Sequence, residues 1–184
     1  PELNAKWRAK TLDLAKSPRL QKLFLRQCRE DFWYWAMGFA VIFEPREFED
    51  REVGFDESDS IPFLPWPHQV PVINHILKVL GKRDIRIVKS RGQGASWICI
   101  LIFLWCWLFR NKFQGNMVST DEKAVDSPRD PNSLFWKLMW LVGRLPDWMT
   151  GKERDDWTRL KKEHTFAHNR RVSVITGFSC TGDV

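Results

Sequence analysis

Residues 85–109, IRIVKSRGQGASWICILIFLWCWLF, decide the predicted fold. The stretch begins with a β-branched run, passes through a loop with two glycines and ends in 13 apolar residues. We predict a buried strand at 84–89, a glycine loop at 90–95 and a buried helix at 96–109. Crossing a bilayer takes about 20 apolar residues. The apolar run is therefore predicted to lie in the core of a soluble protein.

The loop in this stretch contains parts of a phosphate-binding loop, GxxxxGK[ST] between a strand and a helix. In such a loop, glycines let backbone N–H groups face phosphate oxygens, and the helix dipole assists. Gly94 and Ser96 match the pattern. Ala95 stands in place of its lysine and Lys89 in place of its first glycine, although Lys89 and Arg91 can supply cations. A tight turn between a core strand and a core helix explains the loop about equally well.

The rest of the second half alternates between helices and strands. We predict a helix at 71–80, a strand at 115–119, a helix at 134–142 and a hairpin formed by 164–167 and 172–176. This alternation is typical of an α/β sheet with crossover connections.

The first half reads as a helical arm followed by an acidic loop. Residues 1–30 are basic and helical with a break at 17–18, and 32–43 form a buried helix. Residues 44–65 form a loop rich in acidic residues and then in prolines. We divide the chain into 1–59 and 60–184, and a long insertion within one domain is nearly as consistent.

Charge and cysteine content narrow the class of protein. The net charge is +6, with −6 carried by residues 44–59, so the rest of the chain carries +12. This excess suits a polyanionic partner, and a merely solvated basic surface fits equally well. The four cysteines form no CxxC pair and predict reduced, buried thiols in the cytoplasm. A metal site at His164, His168 and Cys180 has little support.

Taken together, the motifs resemble those of tailed-phage terminase large subunits, the ATPases that package DNA. IVKSRGQGASW is similar to that family's phosphate loop with the lysine moved to the front. Four further stretches fit in the same order along about residues 60–184: PFLPWPHQ at 62–69, NMVS at 116–119 followed by DE, DSPRDPNSLFW at 126–136 and VITGFSCTGD at 174–183.

The resemblance implies a P-loop NTPase-type parallel sheet with flanking helices, preceded by the arm and truncated before the Walker B strand. ATP and Mg²⁺ are the implied cofactors. Duplex DNA, a portal protein, a small terminase subunit and further copies in a homo-oligomeric ring are the implied partners, with no membrane. The implied location is the host cell cytoplasm, with the Walker B carboxylates and a nuclease domain expected beyond Val184.

The same resemblance implies roles for the loop. Lys89 contacts the β/γ phosphates, Ser96 holds Mg²⁺, and Arg91 senses phosphate or stabilises transition-state charge. Gln69 reads adenine. The rest of the nucleotide site consists of Ser90, Gly92, Gln93, Gly94 and Ala95.

Two other classes of function stay open. One is a helicase or translocase of another P-loop family, which the sequence after residue 184 would distinguish. The other is a non-catalytic packaging or portal-docking module.

Overall fold

The computed structural model describes residues 1–43, 60–151, 157–165 and 172–180. Its helices are α1 Glu2–Leu14, α2 Pro18–Glu30, α3 Phe32–Phe39, α4 Gln69–Val79, α5 Ala95–Phe109, α6 Glu122–Val125, α7 Leu134–Val142 and α8 Asp147–Thr150. Its strands are β1 Val41–Phe43, β2 Ser60–Pro62, β3 Gln114–Ser119, β4 Trp157–Thr158, β5 Lys161–Thr165 and β6 Val172–Ser179.

The larger sheet has four strands in the order β3-β6-β5-β4. β6 is parallel to β3, with Gln114 opposite Val174, and antiparallel to β5. The β5–β6 pairing confirms the predicted hairpin, whose connecting residues lie outside the described part of the chain. The protein is thus mixed α/β. Only one of the three strand pairs described in this sheet is parallel, which does not amount to the predicted P-loop parallel sheet.

Two predictions for strands and helices are wrong, and residues 60–62, predicted as part of the loop at 44–65, form strand β2. Residues 84–89, predicted as a buried strand, form no strand, and Ile87 and Val88 are 39% and 84% exposed. A strand requires a partner edge for its backbone, and none of the described strands pairs with this segment. The helix predicted at 32–43 ends at Phe39, because 41–43 pair with β2 as a second, antiparallel sheet.

Helix α5 lies at the centre of the hydrophobic core, and ten of its residues are buried. The indole N–H of Trp105 donates to the Cys28 carbonyl oxygen at 2.7 Å, and that of Trp107 donates to the Ser173 carbonyl oxygen at 2.9 Å. These bonds tie α5 to α2 on one side and to β6 on the other. The core contains residues from both sides of position 60, and the division into two units stays a prediction.

The arm is helical with the predicted break, since Ser17 precedes α2 and Pro18 occupies its first turn. Arg8 donates to the carbonyl oxygens of Met37 and Ala40, both at 3.0 Å. Burial lowers the pKa of Arg8 to about 10. A β-carbon at Gly38 would lie 2.9 Å from the Trp7 ring, so this ring packs directly on the α3 backbone. Helix α1 is therefore docked on α3.

The arm's other cations differ in their surroundings. Lys16 pairs with Asp13 at 2.5 Å, and Arg26 pairs with Glu30 at 3.0 Å. Arg29 donates to Asn111 at 3.3 Å. Four more cations are exposed and have no ion pair within the described residues: Lys6, Lys10, Arg19 and Lys22.

The prediction of four buried thiols is half right. Cys28 and Cys106 are buried, whereas Cys99 and Cys180 are exposed, and all four are free. Burial raises the pKa of the Cys28 thiol well above its usual range and that of Cys106 to about 11. None of the helices within the described ranges is long and apolar enough to cross a membrane.

Candidate functional site

The loop before α5 has a backbone that only glycine adopts readily. Gly92 has φ +76° and Gly94 has φ +69°, both in the left-handed region. A β-carbon at Gly94 would also come within 2.9 Å of the Gln69 amide nitrogen. The sequence prediction of a glycine-dependent loop at this position is confirmed.

The loop leads directly into the N-terminus of α5, a helix of 15 residues. Gly94 is the N-cap and provides no side-chain hydrogen bond, while the Ile98 N–H donates to the Gly94 carbonyl oxygen at 3.1 Å. The N–H groups of the residues before Ile98 have no partner within the helix. Together with the helix dipole, these donors favour an anion at this end of α5.

The predicted site residues lie around two pockets. Lys89, Ala95 and Ser96 line a pocket of about 330 Å³, to which Asn116 and Val118 of β3 also belong. This arrangement brings together the predicted phosphate-binding lysine and the predicted Mg²⁺-binding hydroxyl, which stand seven positions apart in the sequence.

A second pocket, of about 580 Å³, is lined by Gly92, Gly94 and Gln69 together with Trp66 and Trp97. This pocket contacts the loop through Gly92 and Gly94. The 330 Å³ pocket instead contacts Lys89 before the loop and Ala95 and Ser96 at its end. Three predicted residues line neither pocket: Ser90 and Arg91 are exposed, and Gln93 is half-buried.

Gln69 contacts the loop directly. The side chain is 7% exposed. Its oxygen accepts from the Trp66 N–H at 2.9 Å, and its nitrogen donates to the Gln93 carbonyl oxygen at 3.0 Å. Both ends of the amide are engaged by backbone. Adenine reading by Gln69, which stays a prediction, would use the second N–H of the amide or the second lone pair of its oxygen.

Sequence reasoning missed three contributors to the larger pocket. The apolar run predicts core packing for Trp97, and the basic arm includes Glu2 and Ala5 of α1, yet all three line this pocket. No local pattern could have indicated Glu2 and Ala5, because their place at the pocket depends on the docking of α1 on α3, whereas Trp97 stands only three positions after Gly94.

Other candidate residues have structural roles or lie outside the described residues. Lys162 is buried and lies 3.5 Å from the Asp126 carboxylate, which also accepts from the Leu160 N–H at 2.8 Å. The described part of the chain contains no group of three or more His, Cys, Asp or Glu side chains suited to a metal ion. His168, part of the metal site considered from the sequence, lies outside the described ranges.

No protein-family model matches this chain, and no curated protein matches its sequence.

Proposed function

We propose that this chain is the nucleotide-binding part of a DNA-packaging ATPase of the terminase large-subunit type. The proposal combines the ordered motifs at 62–183 with the surroundings of the glycine loop. Duplex DNA, a portal protein, a small terminase subunit and further copies of the chain are the proposed partners. The host cell cytoplasm is the proposed location.

One observation carries the proposal. Lys89 and Ser96 line the same pocket, beside a loop with two left-handed glycines and a helix N-terminus without a side-chain cap. These parts fit a triphosphate, because they offer backbone donors, a helix dipole and a lysine. ATP would bring the transferable γ-phosphoryl group, and Mg²⁺ would neutralise its charge.

Within this proposal each residue has a defined task. Lys89 holds the β/γ phosphates, and the Ser96 hydroxyl is a ligand to Mg²⁺. Arg91 is exposed at the loop and provides positive charge for sensing phosphate or stabilising the transition state. The backbone from Gly92 to Ser96 forms the cradle, and Gln69 fixes the cradle by its bond to Gln93.

The test is the affinity of the chain for ATP and Mg²⁺, measured by titration calorimetry. Lys89→Ala should weaken binding by about tenfold or more, since a hydrogen bond to a charged group contributes ~1.5–3 kcal/mol. Lys123→Ala, which removes an exposed lysine of the short helix α6, is the matched control and should bind normally.

Ala95→Lys on the Lys89→Ala background restores the standard pattern and should recover part of the affinity. If Lys89→Ala binds ATP as tightly as the unmodified chain, Lys89 does not take the place of the lysine that the standard pattern has at position 95. Absence of ATP binding by the unmodified chain would favour the non-catalytic docking module.

A further inference from the structure

We propose that Lys137 of α7 supplies buried positive charge to the phosphate site at the start of α5 without contacting the ligand. This inference rests on the proposed function, because the charge acts on the phosphates that Lys89 and Ser96 would bind. Lys137 is only 9% exposed, which is unusual for a lysine. Its role is that of a positioning residue, since it attracts and orients the ligand through its electric field.

The charge of Lys137 is not neutralised by an ion pair. None of the ion pairs within the described residues includes it. Its ammonium nitrogen donates to the Pro131 carbonyl oxygen at 2.5 Å, which is an uncharged partner. Lys162 is similarly buried but lies 3.5 Å from the Asp126 carboxylate. Burial lowers the pKa of Lys137, and the charge of Asp130 opposes this shift.

The position of Lys137 within α7 adds a second cost. Lys137 is the fourth residue of the helix, and the N-terminal end of a helix carries a partial positive charge. A lysine in the first turn is therefore unfavourable, and the burial of an ammonium group without a counter-ion is unfavourable as well. Ionisable groups in such perturbed surroundings cluster at functional sites.

Two observations place Lys137 beside the phosphate site. Leu134 stands three positions earlier, so that the two residues are neighbours on the surface of α7, and it lines the 330 Å³ pocket with Lys89 and Ser96. The ammonium group of Lys137 also lies 5.9 Å from the centre of the Trp97 ring. Trp97 directly follows Ser96 in the first turn of α5. The buried charge is therefore close to the helix start that the proposed site uses.

The lining of the 330 Å³ pocket leaves this positive field uncancelled. Among the described residues, its lining includes the ammonium group of Lys89 and no carboxylate. The first residues of α5 and α7, Ala95 and Leu134, both belong to it, so two positive helix ends lie at one pocket. Salt screens charges less in a partly buried site than at an open surface. The affinity for a polyphosphate, which carries several negative charges, should therefore depend on Lys137.

The experiment removes the charge and keeps the hydrogen bond. Lys137→Gln retains an N–H donor for the Pro131 carbonyl oxygen, whereas Lys137→Arg retains the charge. In calorimetry with Mg²⁺, Lys137→Gln should weaken ATP binding by about tenfold and ADP binding by only about threefold, because ADP has one negative charge less. Lys137→Arg should recover most of the affinity for ATP. Val142→Ala, which shortens a buried residue of the same helix without a change of charge, is the control and should bind both nucleotides normally.

Denaturant unfolding distinguishes this role from a purely structural one. If Lys137 only anchors the turn before α7, Lys137→Gln lowers the free energy of unfolding and leaves the affinity for ATP unchanged, which would overturn the inference. An equal loss of affinity for ATP and ADP would overturn it as well. If Lys137→Gln does not fold, Lys137→Met removes the same charge and is measured with the same expectation.

The outcome for Lys89 separates this inference from the proposed function. If Lys89→Ala weakens ATP binding and the neutral variants of Lys137 do not, the inference is wrong and the proposed function stands. Absence of ATP binding by the unmodified chain would overturn both proposals.

Discussion

The side chain of Gln69 donates a hydrogen bond to the backbone carbonyl oxygen of Gln93 at 3.0 Å. The two residues stand 24 positions apart in sequence. One belongs to the start of α4 and the other to the glycine loop. Since the same amide also accepts from Trp66 at 2.9 Å, it joins the turn before α4 to the loop. The conformation of the loop thus depends on a residue outside it.

We expect Gln69→Ala to destabilise the chain and to weaken ATP binding together. The substitution removes the hydrogen bonds to the Trp66 N–H and the Gln93 carbonyl oxygen, both part-buried, and each such bond contributes about 0.5–1.5 kcal/mol. Denaturant unfolding measures the free energy of unfolding, and calorimetry measures the affinity. Gln27→Ala is the matched control, because Gln27 is exposed on α2. Equal stability of the two variants would contradict the role of Gln69.

Thiol labelling at pH 8 should distinguish two classes of cysteine. Cys28 and Cys106 are buried, and burial raises the pKa of both thiols, so little thiolate forms while the chain is folded. They should react with a disulfide reagent only after denaturation. Cys99 and Cys180 are exposed and should react in the folded chain, Cys99 the more slowly because the atoms packed around its thiol raise its pKa. Four equally fast thiols would contradict the burial of the first two.

ATP should slow the labelling of Cys99 and leave that of Cys180 unchanged. Cys99 lines the pocket that contains Lys89 and Ser96, and Cys180 does not. Mass spectrometry of labelled peptides gives the two rates within one sample, so Cys180 is an internal control. If ATP slows the labelling of both thiols equally, the cause is a conformational change of the whole chain and not a ligand that covers Cys99.

The exposed cations of the arm should contribute to DNA binding. Lys10 and Lys22 are exposed and have no ion pair within the ranges that the structure describes. Changing both to Ala should lower the slope of log affinity against log salt by about one for each DNA phosphate that the chain no longer neutralises. Fluorescence anisotropy on a labelled duplex, recorded over a salt series, measures the slope.

The control changes Lys16 and Arg26, whose charges are already paired with carboxylates. This double variant should lower the slope by less. If the slope is the same for the unmodified chain and both variants, the arm is structural and its cations are only solvated.

The 184-residue chain should show negligible steady-state ATP turnover. The motifs at 62–183 that carry the resemblance to terminases do not include the Walker B carboxylates, which in that family would position the water and complete the Mg²⁺ coordination. Phosphate release in the presence of Mg²⁺ is the measurement, made where calorimetry shows bound ATP. Turnover that disappears in Lys89→Ala would show that the chain is itself catalytic.

Elements defined by local signals could be predicted from sequence. Helix α7 occupies the predicted residues 134–142, because Ser133 caps it by accepting from the Trp136 N–H. The glycine loop could be recognised because a left-handed backbone conformation favours glycine, and glycines are visible in the sequence. Helix α5 begins within one residue of its predicted start, since its apolar run begins directly after the loop.

Features that depend on distant partners could not be predicted. Residues 84–89 have the composition of a strand, but β propensity describes a residue and not the edge it pairs with. Conversely, 41–43 continue an apolar run that reads as helix, and their pairing with 60–62 is decided by a segment beyond the acidic loop. The contribution of α1 to the pocket depends in the same way on its docking against α3.

The position of β6 has a consequence for synthesis of the chain. β6 is the last of the described elements to leave the ribosome, yet it joins β3 and β5 into one sheet. Val174 of β6 pairs with Gln114 of β3, which stands sixty positions earlier in the sequence. Closing so long a loop costs conformational entropy. A nascent chain that ends before residue 172 would lack the strand that joins β3 to β5, and the apolar surface that β6 covers would be exposed to chaperones until this strand arrives.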